Sequence, residues 1–167
     1  QGKNLSIKTR AFVSQEPVIL RRTVLKNMLF VLEKITSEKS TLAKELLSLM
    51  GLDKKEHQNA ITLSAGEKQR LCLARAIITN PEILLLDEPT ANIEPNSTTL
   101  IEKYLIQKVR SSRKIFFVTH DINQARRLAD EIVFIHTGRV IEHSSAKNFF
   151  ENPKTREARK YISGKIN

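Results

Sequence analysis

The sequence predicts an α/β fold, a parallel sheet with crossover helices that carries an inserted helical subdomain. From residue 83 to residue 136, short apolar runs alternate with longer stretches of helical spacing, the order that strand–helix–strand units impose. Between residues 23 and 80, helical patterns follow one another with no convincing strand. The 167 residues, 40% of them apolar, are room for one domain with its own core and a small insertion.

Four apolar runs read as buried strands: residues 10–14, 83–87, 114–119 and 131–136. The spacing predicts a helix over 95–110, where Leu100, Tyr104, Leu105 and Val109 share a face and residues 92–95 give a start signal. A second helix is expected over 122–130, capped by Asp121. The inserted region predicts helices over 24–34, over 38–50 ended by Gly51, and over 65–78 ended before Pro81. From Ala146 onward, two short helical stretches flank Asn152-Pro153 before a polar end at residues 163–167.

Composition narrows the function. The 28 Lys and Arg against 18 Asp and Glu leave a net charge of +10, which favours anionic partners: nucleotides, nucleic acid or the inner face of a membrane. A single cysteine, Cys72, excludes a disulfide framework and a CxxC metal or redox site. No apolar run approaches the roughly 18 residues that span a bilayer, and no apolar segment follows the charged N-terminus as a secretory signal requires.

The most informative stretch is Ile83-Leu84-Leu85-Leu86-Asp87-Glu88-Pro89-Thr90. A hydrophobic strand delivers adjacent carboxylates to its C-terminal end, where ligands bind in open parallel sheets. Mg²⁺ takes oxygen ligands and keeps waters, so Asp87 plus nucleotide phosphates would complete its shell. Glu88 would then orient or deprotonate an attacking water. Taken alone, the pair is as well explained by a strand ending in a polar turn. A second stretch, Leu63-Ser64-Ala65-Gly66-Glu67-Lys68-Gln69-Arg70, opens a helix with Ser64 as N-cap and Glu67 completing a capping box. The same first turn is a potential anion site through its N–H groups, the Ser hydroxyl and the helix dipole.

Together these residues resemble the ABC ATPases. Residues 63–70 resemble the family's LSGGQ signature, and residues 83–90 its Walker B strand with the catalytic glutamate. Ala11-Phe12-Val13-Ser14-Gln15 is similar to the strand entering the Q-loop, residues 91–94 to the D-loop, and Val118-Thr119-His120-Asp121 to the switch region. Residues 129–133 and 138–142 are similar to the closing strands. The resemblance runs in the family's order along essentially the whole chain.

That resemblance implies a RecA-like P-loop NTPase core formed by residues 1–22 and 81–167, with residues 23–80 as the helical subdomain. It implies an ATPase using ATP and Mg²⁺, in which Asp87 holds the metal through water and Gln15 acts in catalysis, reaching both the metal and the hydrolytic water and linking the site to the transmembrane partner. Glu88 would polarise the hydrolytic water, and His120 would contact the γ-phosphate. Ser64, Ala65, Gly66 and Glu67 would meet the ATP of an opposing subunit. The implied partners are a second nucleotide-binding domain, transmembrane permease subunits and, indirectly, a solute-binding protein, at the cytoplasmic face of the inner membrane. No specific nucleic acid is expected. A stand-alone subunit with this tail resembles bacterial importer ATPases for amino acids, phosphate or oxyanions such as tungstate. The alternatives are a fragment of a DNA-repair or chromosome-maintenance ATPase, without the long heptad coiled coil those proteins insert, and a non-catalytic regulatory fragment.

Three departures from the family pattern stand out. Ala65 replaces a usual glycine, harmless if the position is helical and strained if it needs positive φ. Glu94 stands where Asp is typical. No G-x-x-x-x-G-K-S/T occurs, since Gly2-Lys3 is followed by Asn4. The expectation is that the P-loop and its strand lie upstream of residue 1, and that this polypeptide alone neither binds ATP tightly nor hydrolyses it.

Overall fold

A computed structural model describes residues 10–91, 93–106 and 114–165. The chain divides into two compact units, up to Val118 and from Thr119 onward.

In the first unit, β1 (Arg10–Val13), β2 (Ile83–Asp87) and β3 (Lys114–Val118) form a parallel sheet with β2 in the middle. The register runs Phe12 to Leu85 to Phe116 across the three strands. Side chains alternate between faces. Val13, Leu84 and Leu86, with Ala11, Ile115 and Phe117 packed behind them, therefore join the main core. Phe12, Phe116 and Val118, on the other face, are more than half exposed.

Three α-helices fill most of the inserted stretch, α1 (Val24–Leu29), α2 (Ser37–Leu49) and α3 (Ala65–Ile77), with two single 3-10 turns at Asp53–Lys55 and Ala60–Thr62. Consecutive buried residues Leu71, Cys72, Leu73 and Ala74 place α3 at the centre, in contact with α1, α2, β1 and α4 (Pro95–Tyr104). The wholly buried Asn27 fixes the entry to α1. Its Oδ1 accepts from Leu20 N–H at 3.0 Å, and its amide donates to the carbonyls of Leu20, Arg22 and Thr23 at 3.0–3.3 Å.

The helix expected over 24–34 stops at Leu29. The chain turns there, with Leu32 N–H bonded to Leu29 O at 3.2 Å and Phe30 and Val31 left exposed. α2 ends as expected at Gly51, whose φ of 65° permits a Schellman closure: Leu52 N–H to Leu47 O and Gly51 N–H to Ser48 O. α4 begins at Pro95, and the part of its expected span beyond residue 106 lies outside the described residues.

The second unit holds α5 (Ile122–Leu128), β4 (Glu131–His136), β5 (Arg139–Ser145), α6 (Ala146–Glu151) and α7 (Arg156–Ile162). Asp121 caps α5 as expected, accepting from the N–H groups of Asn123 and Gln124. The run 131–136, expected to continue the parallel sheet, instead pairs antiparallel with β5 as a separate two-stranded sheet. The cause is local. Thr137 and Gly138 have φ of 48° and 74°, the doubly left-handed turn that folds a strand directly back on itself.

Candidate functional site

The end of β2 fixes the backbone of the two acidic residues. Asp87 pairs with Val118 in the ladder, and Glu88 N–H donates to Val118 O at 3.0 Å, one step beyond the strand. Glu88 has φ of +47°, although it is neither glycine nor asparagine and precedes Pro89. A left-handed residue of this kind costs about 1–2 kcal/mol, and such strain concentrates at functional sites. The turn closes with Ala91 N–H donating to Glu88 O at 3.0 Å.

Among the described residues, no three His, Cys, Asp or Glu side chains cluster as a metal cage. A cation at Asp87 would take most of its shell from water and phosphate. A hard oxygen donor at a strand end fits magnesium in that mode and fits poorly a metal needing an all-protein site.

The signature-like segment forms the first turn of α3. Ser64 Oγ accepts from Glu67 N–H at 3.2 Å, and Glu67 Oε2 accepts from Ser64 N–H at 3.0 Å, so the capping box is complete. Glu67 Oε1 also lies 2.6 Å from Lys55 Nζ. Partial burial pushes the Glu67 carboxyl upward, but the Lys55 hydrogen bond, the Ser64 N–H and the charges of Lys55 and Arg70 outweigh it and leave it below its ordinary value. Ala65 is the first helical residue and has negative φ, so its methyl group meets no backbone strain. Ser64 and Ala65 are exposed, whereas Gly66 is buried against α4.

Behind this turn lies a polar knot that sequence reasoning missed. Arg70, 7% exposed, donates through Nε to Met50 O at 2.8 Å and through Nη1 to Ser97 Oγ. Ser97 Oγ in turn donates to Glu94 Oε1 at 2.6 Å, and Glu94 Oε1 lies 3.8 Å from Arg70 Nη1. The Ser97 hydroxyl and then its own backbone N–H hold the Glu94 carboxyl below the usual range. The longer side chain at position 94 is thus used within the chain. A usable signal was present: Glu94 and Ser97 stand at the cap and third positions of a helix that opens with Pro95.

A hollow of about 270 Å³ lies between residues 15–17, the start of α3 and the pair Ala91 and Ile93. Gln15, Ala65, Gln69 and Ala91 line it. Gln69 is 2% exposed; its amide donates to Ser14 O at 3.1 Å, while its Oε1 has no hydrogen-bond partner. The structure thus brings Gln15 and the signature-like turn to one hollow, whose lining does not include Asp87 or Glu88. His120 lies in the second unit, exposed, between β3 and α5.

The sequence profile described as ABC transporter matches residues 2–91. The chain is 36% identical to a phosphate import ATP-binding protein PstB of Campylobacter jejuni over 94% of its own length and 67% of that relative's. It is 37% identical to a PstB 1 of Ligilactobacillus salivarius, covering 91% of this chain and 60% of the relative. The PstB of Malacoplasma penetrans is 43% identical, covering 85% and 49%. The chain thus spans between about half and two thirds of the length of these relatives. It belongs to the ABC transporter family, as an importer-like nucleotide-binding domain.

Proposed function

We propose that this chain is the hydrolytic part of an ATP-driven phosphate importer. The observation that carries the reading is the strand end itself, where Asp87 closes a parallel ladder and Glu88 is held left-handed beside it. Magnesium bound with ATP would supply charge neutralisation at the phosphates. Asp87 would hold that ion through water, with Gln15 reaching it from the neighbouring loop. Glu88 would accept the proton of the attacking water, and His120 would stabilise charge on the transferred phosphoryl group. Ser64 and Ala65, exposed at the N-terminus of a 13-residue helix, would meet the γ-phosphate of a nucleotide on an opposing subunit, with Gly66 and Glu67 shaping the turn beneath them.

In this reading residues 23–80 are the helical subdomain, and residues 1–22 and 81–167 belong to the catalytic core. These 167 residues carry no G-x-x-x-x-G-K-S/T. Among the described residues no helix is long and apolar enough to cross a membrane, which suits a subunit peripheral to a permease at the cytoplasmic face. Phosphate as cargo follows the names of the relatives. Uptake of radiolabelled phosphate by phosphate-starved cells dependent on this protein tests the proposal. Asp87→Asn and Glu88→Gln should each abolish uptake, and normal uptake by either variant would refute it.

A further inference from the structure

We infer that Tyr161, on the last helix, is a positioning residue for His120. The inference rests on the reading of His120 as the phosphate-contacting group, and it gives α7 a task in the reaction. Tyr161 Oη donates to the backbone carbonyl of His120 at 3.0 Å, across 41 residues of sequence. The residues on either side of His120 are fixed as well. Thr119 Oγ1 donates to Gln124 Oε1 at 3.0 Å, with Gln124 only 2% exposed, and accepts from Asp121 N–H at 3.0 Å. Asp121 then caps α5 through Asn123 and Gln124 N–H at 2.8 and 3.1 Å. The Tyr161 hydroxyl adds a hold on the carbonyl between these two anchors, which sets the peptide plane from which the imidazole projects.

Tyr161 is itself placed by rigid neighbours. Its ring packs on Phe134 of β4 with centroids 5.1 Å apart, and Phe134 packs on Phe149 of α6 at 5.5 Å. Glu142 of β5, 5% exposed, accepts from the N–H groups of Lys154 and Thr155 and from the Thr155 hydroxyl at 3.1 Å. Thr155 caps α7 by accepting from Ala158 N–H, and Ala158 is fully buried. A tail helix needed only to cover the hairpin would be served as well by phenylalanine at position 161. The hydroxyl is the atom that the His120 carbonyl uses.

Tyr161→Phe deletes that atom and keeps the ring stacked on Phe134, so the variant should fold; its melting temperature checks this. In carbon–proton correlation spectra of the chain, the His120 ring signal, assigned with His120→Gln, should be displaced in Tyr161→Phe. The signals of His57, His136 and His143 should stay in place. Lys160→Ala, a neighbouring exposed change on α7, should leave all four unmoved. An undisplaced His120 signal in Tyr161→Phe, or an equal displacement in Lys160→Ala, overturns the assignment. In phosphate release from Mg-ATP by the complete nucleotide-binding protein, Tyr161→Phe should lower kcat about fivefold, the rate equivalent of one ordinary hydrogen bond, with KM unchanged. An unchanged kcat also overturns it. A wild-type protein that releases no phosphate would refute the ATPase reading and leave the assignment of Tyr161 to the resonances.

Discussion

A β-carbon on Gly66 would lie 2.7 Å from both carboxylate oxygens of Glu94 and 2.5 Å from Ser97 Oγ. The glycine of the signature-like turn is therefore required by packing. The Glu94 side chain is half exposed and can swing aside, but Ser97 is wholly buried and bonded to Arg70. Gly66→Ala should cost about 1–3 kcal/mol, the usual penalty of overpacking. The shift in urea midpoint measures it, and a variant as stable as the parent would contradict this packing.

Glu88 separates stability from chemistry. Glycine adopts φ of +47° without strain, so Glu88→Gly should leave folding stability unchanged or raise it by up to ~1 kcal/mol while removing the proposed base. A loss above ~1 kcal/mol in chemical denaturation would show that the carboxylate, and not the backbone, holds this turn.

Glu142 gives a pH signature. Burial pushes its carboxyl up, but the N–H groups of Lys154 and Thr155 and the Thr155 hydroxyl more than offset this, so its folded pKa lies below its ordinary 4.5. Its stabilising contribution is present above that unfolded value and is lost as pH falls through the lowered folded one. Glu142→Gln should lose roughly 1–2 kcal/mol at neutral pH and show a shallower acid limb below pH about 4.5. Parallel stability curves for parent and variant would rule out this coupling.

Strand and helix order was legible in the sequence where one segment's own pattern settles its state. The Asp121 and Ser64 caps, the Gly51 stop and the strand 83–87 all stand where residue chemistry puts them. Sheet membership was less legible: Glu131–His136 has the apolar content of a parallel strand, and the Thr137-Gly138 turn sends it into a hairpin. Asp87, Glu88 and Ser64 could be singled out because their types and spacing suit the proposed chemistry. Arg70, Gln69 and Tyr161 could not, because their partners stand 20 to 55 residues away and no local pattern joins them.

No G-x-x-x-x-G-K-S/T is present in these 167 residues to wrap the phosphates. Calorimetric titration of this polypeptide with Mg-ATP should therefore show binding weaker than micromolar. Micromolar affinity would mean that these residues alone hold the triphosphate.

The most direct test of the proposed function is phosphate release from Mg-ATP by the complete nucleotide-binding protein, with wild type set against Glu88→Gln. The amide keeps the size and backbone of Glu88 and cannot take a proton. The account predicts a fall in kcat on the order of 10²–10⁴-fold with nucleotide still bound. Equal turnover by the two proteins would contradict it.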